Sequence, residues 1–297
     1  DSSTSRGLGD VYKRQVLIGG RRSIKEISMS TFYNSERLKY NQMNYNNDVE
    51  LDNFCSQCLL VINAVGPSFK INDKIALHAL RNNCHYIDIG GYGILRDLLK
   101  PYEKSIEAQK LCFIIGVGWM PGISGVFSKT IIETHLNSPE NTNFNIYYGA
   151  VDNWSYSSTY DLAASSMGKT RSYVYSHGKE IQVSPFRYTH HKFFPFIGHK
   201  KICMPSFDEQ LTQLATSLKQ IRKISTFIML NDYISMGKFM FIKIFYKHNL
   251  NKATLMLQDD YQRLVKKENK WGSVICQVSK IEPERKIDTC LLYTSPS

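Results

Sequence analysis

The sequence predicts an α/β protein, a doubly wound parallel sheet followed by a second α+β domain. Three observations predict it. Short apolar runs alternate with amphipathic helical stretches up to about Lys129, each run ends in a turn carrying glycine, and beyond Lys129 the pattern changes to strand hairpins and a long helical period.

The elements follow in order. The first fifteen residues, DSSTSRGLGDVYKRQ, and the last eight, CLLYTSPS, lack apolar periodicity and read as non-native flanks, so fold reasoning starts at Val16. VLIGGRRSIKEI opens with a strand, and QMNYNNDVELDNFC supplies another strand and a helix. CLLVINAV is a continuous, β-branched apolar run, the pattern of a strand covered on both faces, and Gly66-Pro67 stops it. Asn72 and Asp73 offer caps to DKIALHALRNN, whose Ile75, Ala76, Ala79 and Leu80 share one helical face. CHYIDIGG is the next strand, and AQKLCFIIGVGWMPGISGVFSKTIIETHL repeats the scheme as helix end, strand, glycine-rich turn and helix. In the second domain NFNIYYGAVD and TRSYVYSHGKEIQV alternate as strands with a turn at HGK. SFDEQLTQLATSLKQIRKI spaces Leu211, Leu214, Leu218 and Ile221 as a helix capped by Asp208. ISTFIMLNDYISMGKFMFIKIFYK is interrupted by Asn231, Asp232 and Lys238. It falls short of the ~18 apolar residues of a membrane span and reads as a buried strand and helix. The expected boundaries are 1–15 flank, 16–129 nucleotide-type domain, 130–289 α+β domain and 290–297 flank.

Composition narrows the function classes. A hydrophobic content of 42% supports a buried core. The formal charge of +11 falls to +10 without the leading flank, whose Arg6, Lys13 and Arg14 oppose Asp1 and Asp10, and its lysines and arginines are scattered rather than clustered. A solvated basic surface is expected, and no nucleic-acid partner. Seven cysteines without an even, short-spaced framework, and no visible signal peptide, point to a reducing cytoplasmic setting. Cys55 and Cys58 have CxxC spacing but no second pair follows, and His190 and His191 lack a nearby third ligand, so no metal site is expected.

In a doubly wound sheet, ligands bind at the carboxyl ends of the strands, which places the chemistry on NAVGP, DIGGYG and GVGWMPGISG. Small residues there let a backbone approach a ribose or nicotinamide, exposed amides are offered, and Asn63 or Asp88 supplies a polar anchor.

VINAVGPSFKINDKIALHALRNNCHYIDIGGY followed by GVGWMPGISG resembles the nucleotide domain of the saccharopine dehydrogenase-like oxidoreductases. That domain carries an Asn-Ala-x-Gly-Pro turn, a His-Tyr-x-Asp strand and a Gly-x-x-Pro-Gly-x-Ser/Asp loop. The likeness runs from Val16 to about Lys129 and implies a Rossmann-like fold binding NADP, with NAD as the alternative. VLIGGRRS then corresponds to the family's second strand, so the first strand and its glycine-rich loop are expected to be missing from this chain and encoded upstream of Val16. Gly20, Arg21 and Arg22 fall where relatives clamp the 2′-phosphate of NADP, a contact suited to bidentate guanidinium groups. Asn44 stands where relatives have an Asp near the adenine. Asn63, Ala64, Val65, Gly66, Pro67, Asp88, Gly90, Trp119 and Pro121 complete the expected cofactor contacts. The second domain of such relatives shapes the substrate site and makes dimer contacts, which implies a homodimer.

Hydride transfer needs chiefly the positioning of the nicotinamide against a C=N or C=O carbon, with a proton donor in reach. Asp88 and Tyr92 border the expected cofactor loop, and Lys169 and Arg171 in SMGKTRSY could bind a carboxylate. The sequence thus reads as an NADP-dependent oxidoreductase acting on a small imine, aldehyde or amino-acid-derived substrate. The alternative is a non-enzymatic, lipid-associated or binding scaffold of the same fold, suggested by the apolar stretch from Ile224 to Tyr246.

Overall fold

A computed structural model of the chain describes residues 15–28, 37–91, 93–135, 139–168, 172–206, 209–281 and 286–295. Asp208 and Tyr92 lie outside them. The chain divides into two compact units, one of residues 1–64, 71–89 and 95–115, the other of residues 65–70, 90–94 and 116–297. The first is α/β with parallel strands and the second α+β with a mixed sheet, the fold class that the sequence predicts.

The first unit is built from β1 (Val16–Gly20), α1 (Ile24–Ser28), β2 (Leu38–Gln42), α2 (Asp48–Cys55) and β3 (Leu60–Asn63). Next come α3 (Ser68–Ile71), α4 (Lys74–Arg81), β4 (His85–Asp88), α5 (Gly93–Leu99), α6 (Glu103–Ala108) and β5 (Phe113–Ile115). α3 and α5 begin in segments assigned to the second unit. β1 pairs in parallel with β2, and β3, β4 and β5 form a separate three-stranded parallel sheet. Ile75, Ala76, Ala79 and Leu80 of α4 are buried as their spacing predicts, and His78 is buried beside them, 2.6 Å from Asp52.

Two local expectations are corrected. Asp73 sits at the N-cap of α4 but its side chain makes no capping bond, its backbone at φ −92° and ψ 0° lying outside the extended region from which a capping side chain reaches the helix amides. β3 is not covered on both faces: Val61 and Asn63 are buried, whereas Leu60 and Ile62 point the other way and stay exposed. The continuous apolar run therefore signals an open apolar face on this strand.

The second unit adds α7 (Ile123–His135), β6 (Thr142–Val151), α8 (Tyr156–Gly168), β7 (Ser172–Ser176), β8 (Lys179–Val183), α9 (Pro185–Tyr188), β9 (His190–Phe194) and β10 (His199–Pro205). α10 (Glu209–Ser217), β11 (Lys223–Leu230), α11 (Tyr233–Phe245), α12 (Leu250–Val265), β12 (Trp271–Ile281) and β13 (Lys286–Ser295) complete it. Its sheet runs β13-β12-β6-β11-β10-β9, with the β7–β8 hairpin joined through β11. Cys290 to Ser295, set aside as flank in the sequence, pair with Gly272 to Gln277 in the β12–β13 ladder. His177 and Gly178 both have positive φ and make the turn expected at HGK. α10 stops at Ser217, earlier than the leucine spacing predicts, so Leu218 and Ile221 lie beyond its end yet still pack on the sheet.

On one face of this sheet Phe144, Ile146, Ile224, Val274 and Cys276 pack under Ile131 and Ile132 of α7 and Leu211 of α10. On the same side Ile202, Met204 and Leu230 meet Phe239 and Ile242 of α11 and Ala253 and Leu257 of α12. Tyr147, Phe227, Met229, Cys203 and Ile275 form a further cluster with Phe194. Among the described residues no helix is long and apolar enough to cross a membrane.

The tightest backbone constraint lies before α7. Gly122 has φ +128°, and a Cβ there would stand 2.1 Å from the carbonyl oxygen of Gly118. Gly122→Ala is expected to destabilise the protein by about 3 kcal/mol or more. A shift of the denaturant midpoint to lower concentration, with the m-value unchanged, is the measurement that checks it.

Candidate functional site

In the first unit the parallel register sets Asn63 beside Asp88 at the carboxyl ends of β3 and β4. Asn63 Nδ2 donates to Asp88 Oδ2 at 2.7 Å and the Tyr86 hydroxyl donates to the same oxygen at 2.6 Å. All three side chains are buried. Burial, reinforced by the neighbouring Asp88 charge, pushes the Tyr86 phenol well above its ordinary pKa, so it remains a donor. The sequence pointed to Asn63 and Asp88 and missed Tyr86. Its signal was the alternation of β4, which puts residues 86 and 88 on one face.

At the end of β1, Gly20 lies under Tyr40: an added Cβ would meet the phenol oxygen at 2.9 Å. That hydroxyl donates to the Arg22 carbonyl and Gln42 Nε2 donates to the Arg21 carbonyl, so the backbone is held while both arginines are exposed. Ser23 and Glu26 bond reciprocally at the start of α1 as a capping box. Asn44 is exposed, and its Oδ1 accepts from the Asn46 amide.

The joint after β3 belongs to the second unit, and there it is fastened to α8. A Cβ on Gly66 would come within 2.7 Å of the Ser157 Cβ. The amides of Ser68 and Phe69 donate to the two carboxylate oxygens of Asp161, at 2.9 and 3.2 Å. Lys70 lies over the Tyr160 ring at 4.4 Å. Pro67 is buried, Val65 and Gly90 are half-buried, and Ala64, in the first unit, is exposed.

The turn after β5 is likewise closed on protein. Ile123 and Ser124 donate to the carbonyls of Gly118 and Trp119, and the Gly122 amide donates to Gln210 Oε1 at 2.8 Å. Gly116 has φ +71° with Pro121 packed against it, and Gly125 leaves room for the Gln210 side chain.

Trp119 opens onto a cavity of about 50 Å³ within the second unit. Tyr148 and Ala150 of β6, Leu162 of α8, Phe239 of α11 and Leu257 of α12 supply apolar wall. Trp154 stacks on Tyr261 with ring centres 4.6 Å apart. The polar lining residues are Asn231, Ser235, Asp260 and Tyr261, and the Trp119 Nε1 is buried with no hydrogen-bond partner among the described residues. Behind it stands a charged frame. Lys201, 1% exposed, donates to Asn231 Oδ1 at 2.6 Å and to Glu268 at 2.9 Å. Arg263 bonds both Asp232 and Asp260, and Lys238 reaches Asp259 and Asp260. Burial, then the Asp260 charge, raises the Tyr261 phenol well above the ordinary tyrosine range.

Of the remaining candidates, Tyr92, Lys169 and Arg171 lie outside the described residues. His190 packs against Tyr147 and Phe227 while His191 Nε2 lies 2.8 Å from the Tyr233 hydroxyl, and no metal-binding cluster occurs among the described residues. Cys55 and Cys84 are buried and free, and burial pushes the Cys55 thiol up to about 12.

No protein-family model and no curated protein matches the chain. The resemblance to the saccharopine dehydrogenase-like family therefore stands on its three motifs. Among solved structures, a dehydrogenase (MviM) from Clostridium difficile is 7% identical with a TM-score of 0.35, covering 88% of this chain and 69% of that one. A biliverdin reductase from Synechocystis, solved with biliverdin and NADP+, is 9% identical with a TM-score of 0.35, covering 93% of this chain and 84% of that one.

Two predictions follow from these contacts. Gly66→Ala is expected to cost about 1–3 kcal/mol by driving its methyl into Ser157, and Ser157→Gly in the same chain is expected to restore most of the loss. A double-mutant cycle read by chemical denaturation checks it. Burial alone would raise the Asp232 carboxyl, but hydrogen bonds from Arg263 and Ser235 outweigh it and hold the group at about 2 against an ordinary 3.8. A depressed folded-state pKa gives stability that is complete above the unfolded value and is lost as pH falls toward 2. Asp232→Asn is expected to remove about 1–2 kcal/mol at neutral pH, discounted for partial exposure, with the gap to the parent closing between about pH 4 and pH 2. Parallel urea titrations across that range are the test.

Proposed function

We propose that the chain is an NADP-dependent oxidoreductase of the saccharopine dehydrogenase-like type, moving a hydride to or from a small imine, aldehyde or amino-acid-derived substrate. The observation that carries this reading is the set of polar groups at carboxyl ends of parallel strands: exposed Arg21 and Arg22 after β1, and the Asn63–Asp88 pair after β3 and β4. Bound NADP would supply or accept the hydride. Arg21 and Arg22 would hold its 2′-phosphate by charge-assisted bonds, which their exposed guanidinium groups can make without giving up a backbone contact. Asp88 already accepts from Asn63 and Tyr86, so its part is to fix the Asn63 amide at the strand end. The Ser68 and Phe69 amides are engaged by Asp161 and are not assigned to phosphate. A reducing cytoplasmic setting and a homodimer belong to the same proposal, as does NAD as the alternative cofactor.

A second reading has its own observation. Tyr233, Ile234, Phe241, Ile244 and Phe245 are exposed along one stripe of α11, with Lys247 beyond its end. Such a stripe suits an anionic lipid surface. Co-sedimentation with phosphatidylserine vesicles in a protein that binds no nucleotide would favour this scaffold.

Replacing Arg21 and Arg22 together by Ala is expected to weaken NADPH binding by about 2–4 kcal/mol while changing NADH binding by less than about 1 kcal/mol. Fluorescence titration of both nucleotides checks it. Equal losses would refute the clamp, and absence of nucleotide binding in the parent chain would refute the reading.

A further inference from the structure

We infer that the first unit takes one further parallel strand between β1 and β3, followed by a helix, both from the same polypeptide ahead of Val16. The edges, the open face and the helix across them all lie within that one unit.

Edges come first. Among the described residues β1 pairs only with β2 and β3 only with β4, so the five strands stand as two parallel sheets. The Val16 amide donates to Arg37 and the Gly20 carbonyl accepts from Met43, which turns the backbone groups of Leu17 and Gly19 to the other edge. In β3 the Leu59 and Asn63 carbonyls accept from His85 and Ile89, which turns those of Leu60 and Ile62 outward. Both edges offer amides and carbonyls to a further strand.

One helix reaches both sheets. Phe54 of α2 lies 2.9 Å from where a Cβ on Gly19 would stand, while the Cys55 carbonyl accepts from Cys84 Sγ at 3.2 Å and Asp52 meets His78 of α4. α2 thus lies across the seam. Neighbouring strands stand about 4.8 Å apart and a helix is about 10 Å wide, so a helix touching both sheets covers the breadth of one strand between them.

The open face identifies the source. Parallel sheets are covered on both faces, yet Leu60 is 41% exposed, Ile62 60%, and Ile114, registered beside Ile62 through Ile87, 48%. These side chains point away from α2, since Cys84 shares its side of β4 with the buried Tyr86. From a strand in the slot to β1, the chain moves in the same direction as from β1 to β2 and opposite to that from β2 to β3. A right-handed crossover therefore puts its helix on the face opposite α2, over the exposed strip. A strand donated by another molecule would fill the edges and leave this face bare. One strand and helix ahead of Val16 answer both. With β1 they need about 30 residues, and the fifteen residues before Val16 lack apolar periodicity, so the pair is encoded further upstream.

Sequencing the source transcript upstream of the Val16 codon is expected to show, in frame and within about 40 residues, a short apolar run followed by an amphipathic helical period. Ile62→Cys and Leu60→Cys are then made in the present chain and in the extended one, labelled with a charged maleimide and read peptide by peptide by mass spectrometry. In the present chain both are expected to react freely, with Val49→Cys on α2, 69% exposed, as the reference. In the extended chain both are expected to react about tenfold more slowly or less, while Val49→Cys keeps its rate. A stop codon or an initiator methionine with no such run before Val16, or unchanged labelling in the extended chain, would overturn the proposal. So would protection that appears in the present chain as its concentration rises, because that gives the strip to a second copy. Labelling is read without nucleotide, so its outcome is separate from that of the NADPH titration.

Discussion

β6 is buried on both faces, and the second unit is registered from it. It pairs in parallel with β11 and antiparallel with β12, so a single strand fixes which residues of its neighbours point to which side. Phe144, Ile146 and Tyr148 go to the helical face, and Tyr147 goes to the opposite cluster under Phe227. A slip of one residue would exchange the two sets, which is why such a strand tolerates no alternative register. Gly149 marks how closely the sheet is drawn together, since a Cβ there would stand 2.9 Å from Met229. The cavity exists because Tyr148 and Ala150 reach its wall from this strand while Ile228 and Leu230 reach it from β11.

The charged frame around that cavity obeys a second constraint, that ions removed from water must be shared. Arg263 serves two aspartates and a serine hydroxyl, and Lys201, nearly inaccessible, serves Asn231 and Glu268 and lies over the Trp271 ring. Each pairing ties two helices or a strand and a loop: Asp232 before α11 to Arg263 of α12, and Lys201 of β10 to the segment after α12.

Much of this was legible in the sequence. The alternation of strands and helices followed by strand hairpins predicted the α/β and α+β architectures, the helical spacing of Ile75 to Leu80 predicted the buried face of α4, and HGK predicted its turn. The errors have a common cause. Where one face of an element is apolar without being covered, as at Leu60 and Ile62, hydrophobicity reports composition and not burial. Part of the site was visible but misassigned. Asn231, Asp232 and Lys238 stood out as interruptions of an apolar run and counted only against a membrane span, yet all three belong to the frame of the cavity. Lys201 gave no local signal because its partners Asn231 and Glu268 lie 30 and 67 positions away, and Tyr261 gave none because its place depends on the shape of a shared wall.

The glycines carry the sharpest lesson. A glycine-rich turn at a strand end is evidence that something approaches the backbone closely, and the sequence does not say what. At Gly66 it is Ser157, at Gly122 it is the carbonyl of Gly118, and at Gly125 it is Gln210. The amides that follow Gly66 are answered by Asp161, and the Gly122 amide by Gln210. Protein thus accounts for the close approaches at these positions, and a ligand is not required to explain them. The groups at strand ends that packing does not account for are of another kind: two guanidinium groups exposed after β1, whose carbonyls are held by Tyr40 and Gln42. Holding a backbone rigid while leaving long cationic side chains exposed costs conformational freedom and adds little stability. The two hydrogen bonds fix the backbone from which Arg21 and Arg22 leave into solvent.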